Sequence, residues 1–102
     1  MWSRRAVVCV YMIIEIQVED EWLYAEYVEK VRAIVEEHGG RYLVRGGVVT
    51  PLSGDWNPER MIVIEFESTE QVRRCFNSPE YLELAPLRKQ SAVSRAIVVD
   101  GV

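Results

Sequence analysis

The first clear pattern in the chain is an alternation of apolar and mixed positions from Val8 to Val18. The even positions are all apolar, whereas Glu15 and Gln17 interrupt the odd positions. Successive side chains of a strand point to opposite faces of a sheet. The alternation therefore predicts a long β-strand with one wholly apolar face.

A helical pattern follows at residues 20–38. Apolar residues recur there every three or four positions, and Asp20 is a typical N-cap residue. Gly39 and Gly40 end the pattern, because glycine readily adopts the left-handed conformation that closes many helices. We expect one helix over these residues.

The second half of the chain predicts three strands and two short helices. We expect strands over residues 41–52, 60–67 and 93–100, with Gly46-Gly47 marking a bulge or a close approach of another backbone or ligand. Ser68 and Gln71 match a capping box at the start of one helix. Ser78-Pro79 begins another helix, which we expect Pro86 to break or kink.

This order of elements, β-α-β-β-α-β, predicts an α+β fold of the ferredoxin-like type, with a four-stranded antiparallel sheet and both helices on one face. The helix-covered face is expected to carry Val10, Met12, Ile14, Ile16, Ile62, Ile64 and Phe66. The open face is expected to carry Tyr11, Ile13, Leu43, Met61, Val63, Ile97 and Val99. This second set is too apolar for a solvated surface, so we expect a homodimer in which open face meets open face.

Length and charge narrow the class of protein. A chain of 102 residues suits one domain, which we place at residues 7–102, after a tail at residues 1–6. Met12 is an alternative start that would shorten the first strand. Twelve basic against sixteen acidic residues give a net charge of −4, which disfavours nucleic acid as a partner.

The targeting and metal signals are weak. The apolar run from Ala6 to Ile14 is shorter than the roughly 20 residues of a membrane span and is followed by Glu15, so we expect no membrane segment and a cytoplasmic location. Cys9 and Cys75 lie in apolar runs and are expected to be reduced core residues. The sole histidine, His38, has neither Cys nor His near it, so we expect no metal site.

Four charged residues of the strands have two possible interpretations. Alternation places Glu15, Arg45, Glu65 and Arg95 on the open face. Paired ions there would fix the register of a dimer, since buried charges are tolerated chiefly in pairs. Alternatively, the same groups would form a polar pocket in which carboxylates carry out acid or base chemistry and arginine binds an anion.

Several aromatic and titratable residues also have two interpretations. His38 ends the first helix, where it either meets the negative end of the helix dipole or transfers protons. Trp56 follows Asp55 in a polar turn and either packs the loop or contacts a ligand or a second subunit. We interpret Tyr24, Tyr27 and Tyr81 as core aromatic residues whose hydroxyls are solvated.

Four ordered motifs together resemble the domain-of-unknown-function family 1330. They are HGGRYLVRGG at 38–47, LSGDWNPER at 52–60, IEF at 64–66 and NSPEY at 77–81. The resemblance implies a ferredoxin-like protomer of the dimeric α/β barrel superfamily, which contains cofactor-free monooxygenases, isomerases, haem enzymes and non-catalytic binders, so it implies no single activity. The motif residues of this sequence are His38, Arg45, Gly46, Gly47, Asp55, Trp56, Arg60, Glu65, Ser78, Pro79 and Tyr81.

These residues define a predicted site between the sheet and the helices, bordered by the loop at 53–58. We expect it to bind a small anionic or aromatic molecule and to act by proton transfer or cofactor-free oxygenation, without a bound cofactor. The expected substrate-binding residues are Arg45, Asp55, Trp56, Arg60 and Tyr81, and the expected proton carriers are Glu65 and His38. Haem is disfavoured because the histidine ends a helix. The alternative is a non-catalytic module for dimerisation or ligand binding.

Overall fold

The computed structural model describes residues 8–102, so the predicted tail at residues 1–6 lies outside the described residues. Seven elements follow one another: β1 (Val10–Val18), α1 (Glu21–Glu37), β2 (Arg41–Arg45), β3 (Arg60–Phe66), α2 (Thr69–Phe76), α3 (Pro79–Ser91) and β4 (Ala92–Asp100). β1 begins at Val10, two residues later than the alternation predicted.

The four strands form one antiparallel sheet in the order β2-β3-β1-β4. β1 lies in the centre and pairs along its length with β4, so that Glu15 is directly opposite Arg95. The predicted α+β fold of the ferredoxin-like type is confirmed. The second helix of that plan is divided here into α2 and α3, with Asn77 and Ser78 between them.

The core lies between the sheet and the helices. Val10 and Ile16 of β1 and Ile62, Ile64 and Phe66 of β3 are all buried, which confirms the predicted covered face. They pack with buried helix residues, namely Tyr24, Tyr27, Val31, Val35, Val72, Cys75, Tyr81, Leu84 and Ala85. Each large apolar side chain removed from water in this way contributes about 1.5–3 kcal/mol.

Side-chain caps fix where the helices begin. The Asp20 carboxylate accepts a hydrogen bond from the Leu23 amide at 3.1 Å, and Ser68 and Ser78 cap α2 and α3 in the same way. The Gln71 side chain does not complete the predicted capping box, because it donates to the carbonyl oxygen of His38 at 2.7 Å. This bond ties the start of α2 to the end of α1. Among residues 8–102, no helix is long and apolar enough to cross a membrane.

The predicted second strand was too long. β2 ends at Arg45, and the chain then leaves the sheet, so that Val48 and Leu52 are 99% and 93% exposed. Gly46 ends the strand because it has a φ of +77°, the left-handed region that favours glycine. The predicted bulge lies earlier than Gly46-Gly47, between Tyr42 and Val44.

We predicted that Pro86 would break or kink this helix, and the break is absent. α3 continues through Pro86 to Ser91. Proline removes one backbone hydrogen bond from a helix, which costs about 3 kcal/mol. Leu84 and Ala85 are buried immediately before the exposed Pro86, and their packing holds the helix in place despite that loss.

The second face of the sheet is the open face, defined here by Tyr11, Ile13, Val63, Ile97 and Val99. Ile97 is 62% exposed and Val99 is 45% exposed, whereas the other three are half-buried. Two cross-strand ion pairs flank these residues: Glu15 with Arg95 at 2.6 Å, and Glu65 with Arg41 at 3.0 Å. Of the four charges expected on this face, Glu15 and Arg95 pair with each other, and Glu65 pairs with Arg41.

The turn after α1 provides a test of how tightly the covered face is packed. Gly40 is buried, and a Cβ there would lie 2.5 Å from Val35 Cγ1 and 2.9 Å from the Phe66 ring. We expect Gly40→Ala to lower the free energy of unfolding by about 1–3 kcal/mol, measured by urea denaturation followed by circular dichroism.

Gly47→Ala is the matched control, because a Cβ at Gly47 meets nothing within 4 Å among the described residues and its φ is not positive. It should change the free energy of unfolding by no more than about 0.5 kcal/mol. Equal effects of the two substitutions would show that the contact of Gly40 with Val35 and Phe66 is not tight.

Candidate functional site

A cavity of about 340 Å³ lies between the covered face of the sheet and helices α1 and α3. Most of its wall is apolar, from Met12, Ile14, Ile16, Val28, Val31, Ile62, Phe76, Leu82, Ala85 and Ala96. The polar part of the wall consists of four tyrosines, four basic residues and one serine, namely Tyr24, Tyr27, Tyr42, Tyr81, Arg45, Arg60, Arg88, Lys89 and Ser94.

Arg45 reaches this cavity because of the bulge in β2. Tyr42 pairs with Ile64 and Arg45 pairs with Ile62, so both point to the covered face, although the alternation of the sequence puts them on opposite faces. The placement of Arg45 on the open face was therefore wrong. Its guanidinium donates to the Val28 carbonyl oxygen at 2.7 Å and lies 5.0 Å from the centre of the Tyr42 ring.

Arg60 enters the cavity from the first residue of β3. Its Cζ lies 5.4 Å from the centre of the Tyr24 ring. Gly46 packs against the same guanidinium, and a Cβ at Gly46 would overlap it. The close approach expected at Gly46-Gly47 is thus made by a side chain of the same chain.

A chain of hydrogen bonds crosses the wall formed by α1 and α3. The hydroxyls of Tyr27 and Tyr81 are 2.9 Å apart, and Arg88 Nε donates to the Tyr81 hydroxyl at 3.2 Å. Arg88 also donates to the Ser94 hydroxyl at 2.6 Å, which links α3 to β4. The hydroxyls of Tyr27 and Tyr81 are buried and bonded to each other, not solvated as the sequence suggested.

The phenols of Tyr24, Tyr27 and Tyr42 stay protonated at neutral pH, because the pKa of each is raised. Burial, followed by the nearby Tyr81, raises the pKa of Tyr27 well above its usual value. Burial also raises the pKa of Tyr42 to about 12. For Tyr24 burial raises the pKa, and the nearby Arg60 guanidinium opposes the rise. These hydroxyls can donate hydrogen bonds to a bound molecule but do not act as bases at neutral pH.

The charge of the cavity wall is of one sign. Three arginines and Lys89 line it, and no Asp or Glu of the described residues does. The whole chain has a net charge of −4, so the positive charge here is a local excess. Such a wall attracts anions and repels cations.

Three of the seven predicted site residues line the cavity and four do not. Arg45, Arg60 and Tyr81 line the cavity together. Glu65 lies on the other face of the sheet and pairs with Arg41, and His38 caps the end of α1 with its Nδ1 2.8 Å from the Ile34 carbonyl oxygen. The structure therefore brings Arg45, Arg60 and Tyr81 together and places Glu65 and His38 away from them.

Asp55 and Trp56 lie in the exposed loop between β2 and β3, where Trp56 is 56% exposed. They are not among the residues that line the cavity. Within residues 8–102, no group of three His, Cys, Asp or Glu side chains is arranged to hold a metal ion.

Sequence reasoning missed six polar residues of the lining, namely Tyr24, Tyr27, Tyr42, Arg88, Lys89 and Ser94. Tyr24 and Tyr27 share the apolar stripe of α1, which by itself indicates only packing. One signal was available: Arg88 follows Tyr81 by seven residues, two helical turns along the same face of α3. A basic residue there is placed to meet the Tyr81 hydroxyl, as the structure shows.

Comparison with solved structures shows the same fold in several proteins. A protein of unknown function from Rhodopseudomonas palustris has 20% identity and a TM-score of 0.78, with 95% of this chain and 85% of that chain covered. SnoaB, a cofactor-independent oxygenase from Streptomyces nogalater, has 14% identity and a TM-score of 0.63, with 89% and 90% covered. A dimeric ferredoxin-like protein of unknown function from Thermobifida fusca has 12% identity and a TM-score of 0.52, with 89% of each chain covered.

At these identities the similarity establishes the fold and not the activity. No protein with a curated description matches the sequence. The sequence profile of one family, described as a domain of unknown function, matches residues 9–102. Because this match spans nearly the whole chain, the chain belongs to the DUF1330 family.

Proposed function

We propose that the protein binds a small organic anion with an aromatic or otherwise apolar body in the cavity between the helices and the sheet. The observation that carries this proposal is the composition of the wall: four basic side chains stand among apolar and tyrosine side chains, and no carboxylate of residues 8–102 accompanies them. Guanidinium groups in partly dry surroundings form strong, directed hydrogen bonds with carboxylates. Apolar walls with a few convergent polar groups are typical of small-molecule sites.

The proposal assigns different roles to the predicted residues. Arg45, Arg60 and Tyr81 line the cavity and are the proposed ligand-binding residues within it. Asp55 and Trp56 stay proposed contacts from the loop, because that loop connects β2, which ends at Arg45, to β3, which begins at Arg60.

The proposal extends to a reaction, either proton transfer or cofactor-free oxygenation of the bound anion. One support is the shared fold of SnoaB, described as a cofactor-independent oxygenase. The other is the hydrogen-bonded chain of Tyr27, Tyr81 and Arg88, which could stabilise negative charge on the ligand. Glu65 and His38 lie outside the cavity of one protomer, whereas Tyr27 and Tyr81 line it. The two tyrosines are therefore better placed than Glu65 and His38 to act on a ligand.

We also propose that two copies associate through the open face. Pairing two such faces would bury Ile13, Ile97 and Val99, and a twofold axis is the commonest symmetry for small proteins. The protein of the same fold from Thermobifida fusca is described as dimeric, which supports association into a dimer. If the cavity binds nothing, this pairing is the basis of the second candidate function, a non-catalytic dimerisation module.

The proposed function predicts that the cavity binds a charged compound more tightly than an uncharged compound of the same shape. In isothermal titration calorimetry, 2-naphthoate should bind at least about tenfold more tightly than the uncharged 2-naphthamide, because only the carboxylate gains charge-assisted hydrogen bonds from arginine. Equal affinities, or no binding of either compound, would contradict the proposal.

A cavity-filling variant locates the binding. Ala96 lines the cavity from the exposed edge strand β4, so Ala96→Phe should abolish 2-naphthoate binding without unfolding the protein. Ala33→Phe is the control, because Ala33 is exposed on α1 and does not line the cavity. Binding that survives in Ala96→Phe would place the ligand elsewhere on the molecule.

The dimer proposal predicts a face-specific effect on strand β4. Ile97→Lys should raise the dissociation constant of the dimer at least about tenfold in sedimentation velocity, because it removes an apolar contact and introduces charge. Val98→Lys is the control: Val98 is 37% exposed and points to the opposite face of the same strand. A wild-type protein that sediments as a monomer at micromolar concentration would refute the dimer.

A further inference from the structure

Two buried polar groups of the cavity lack a hydrogen-bond partner among residues 8–102: the Tyr24 hydroxyl and the Arg60 Nε–H. Tyr24 is only 5% exposed. An unpaired polar group inside a protein costs stability, and native structures contain few of them. Both groups belong to adjacent side chains, since the Arg60 Cζ lies 5.4 Å from the Tyr24 ring centre. The two groups therefore form one adjacent pair of polar groups in the cavity wall.

The other polar groups of the same wall are already engaged. Arg45 donates to the Val28 carbonyl oxygen, and Arg88 donates to two hydroxyls. Tyr27 and Tyr81 bond to each other. Among the three arginines, Arg60 is therefore the one with a buried, unpaired Nε donor within the described part of the chain.

The position of Arg60 is fixed by its surroundings. The Tyr24 ring lies beside the Arg60 guanidinium. The backbone of Gly46 packs against the same guanidinium, and a Cβ at position 46 would overlap it. Gly46 is held in place because its amide donates to the Met61 carbonyl oxygen at 2.9 Å. A guanidinium constrained in this way loses little conformational freedom when it binds an anion.

We propose that the Tyr24 hydroxyl and the Nε edge of Arg60 form an oxyanion site that takes the carboxylate of a small acid with an aromatic or otherwise apolar body. This inference rests on the proposed function and adds to it the functional group of the ligand and the two groups that recognise it. The Nε–H and a neighbouring Nη–H of a guanidinium match the two oxygens of a carboxylate. The protonated Tyr24 hydroxyl donates a further hydrogen bond to the same group, while the apolar walls take the body of the acid.

Removal of the Tyr24 hydroxyl tests the site directly. Tyr24→Phe should weaken 2-naphthoate binding about tenfold or more in isothermal titration calorimetry, the effect of losing a hydrogen bond to a charged group, and should leave 2-naphthamide binding nearly unchanged. Arg60→Lys should give a similar loss for 2-naphthoate, because lysine keeps the charge but not the forked donor edge. Tyr11→Phe, which changes a tyrosine beside Glu65 on the open face, is the control and should bind like wild type.

Thermal melting of the ligand-free variants separates a binding role from a structural one. Tyr24→Phe should keep or raise the melting temperature, because it removes an unpaired buried hydroxyl. Tyr27→Phe should lower the melting temperature, because it breaks the bond to Tyr81. A clear loss of stability in Tyr24→Phe would show that its hydroxyl has a structural partner and would overturn the proposal.

The outcomes also distinguish this inference from the proposed function. If wild-type protein binds 2-naphthoate and Tyr24→Phe binds it equally well, the cavity holds anions through other groups and only the oxyanion site is refuted. If wild-type protein binds neither naphthalene compound, the proposed function fails and the oxyanion site fails with it.

Discussion

The structure depends on how α1 and α3 cover one face of the sheet, because that face is filled differently at its two ends. At the end where β1 begins and β3 finishes, Phe66, Val35 and Cys75 are at most 1% exposed and the core is dense. At the opposite end, the same layers enclose tyrosines and arginines, and the cavity lies there. Close packing of the buried side chains holds the layers together around the cavity, and Ile16, which lines it, is itself only 2% exposed. The core and the cavity therefore share one interface between the helices and the sheet.

Most of the fold could be predicted from local patterns. The alternation in β1 and β3 and the caps at Asp20, Ser68 and Ser78 agree with the structure because each depends on neighbours close in sequence. The prediction for β2 failed for a long-range reason: alternating residues beyond Arg45 have β-strand character but no partner strand. Pro86 was misjudged because tertiary packing outweighs the loss of one helical hydrogen bond.

The candidate site shows a sharper limit of sequence reasoning. The bulge in β2 reverses the side-chain phase, so Arg45 lies in the cavity and not on the open face. No single residue of the sequence indicates that reversal. Arg60 and Tyr81 were predicted through motif resemblance and do line the cavity. Tyr24 was read as a core aromatic, which is correct for its ring. Its hydroxyl is the informative part, and its lack of a partner in the described residues becomes visible only in three dimensions.

Hydrogen bonds hold both ends of the loop between β2 and β3 in place. Gly46 is bonded to Met61 at one end, and at the other Glu59 accepts a hydrogen bond from the Val18 amide at 2.9 Å. The segment between these hydrogen bonds, with Val48, Leu52 and Trp56 exposed, contributes little to the core. Changes of sequence in this segment should therefore leave Arg45 and Arg60 in place. The scaffold that carries the two arginines and the outer contacts of the loop can change independently of each other.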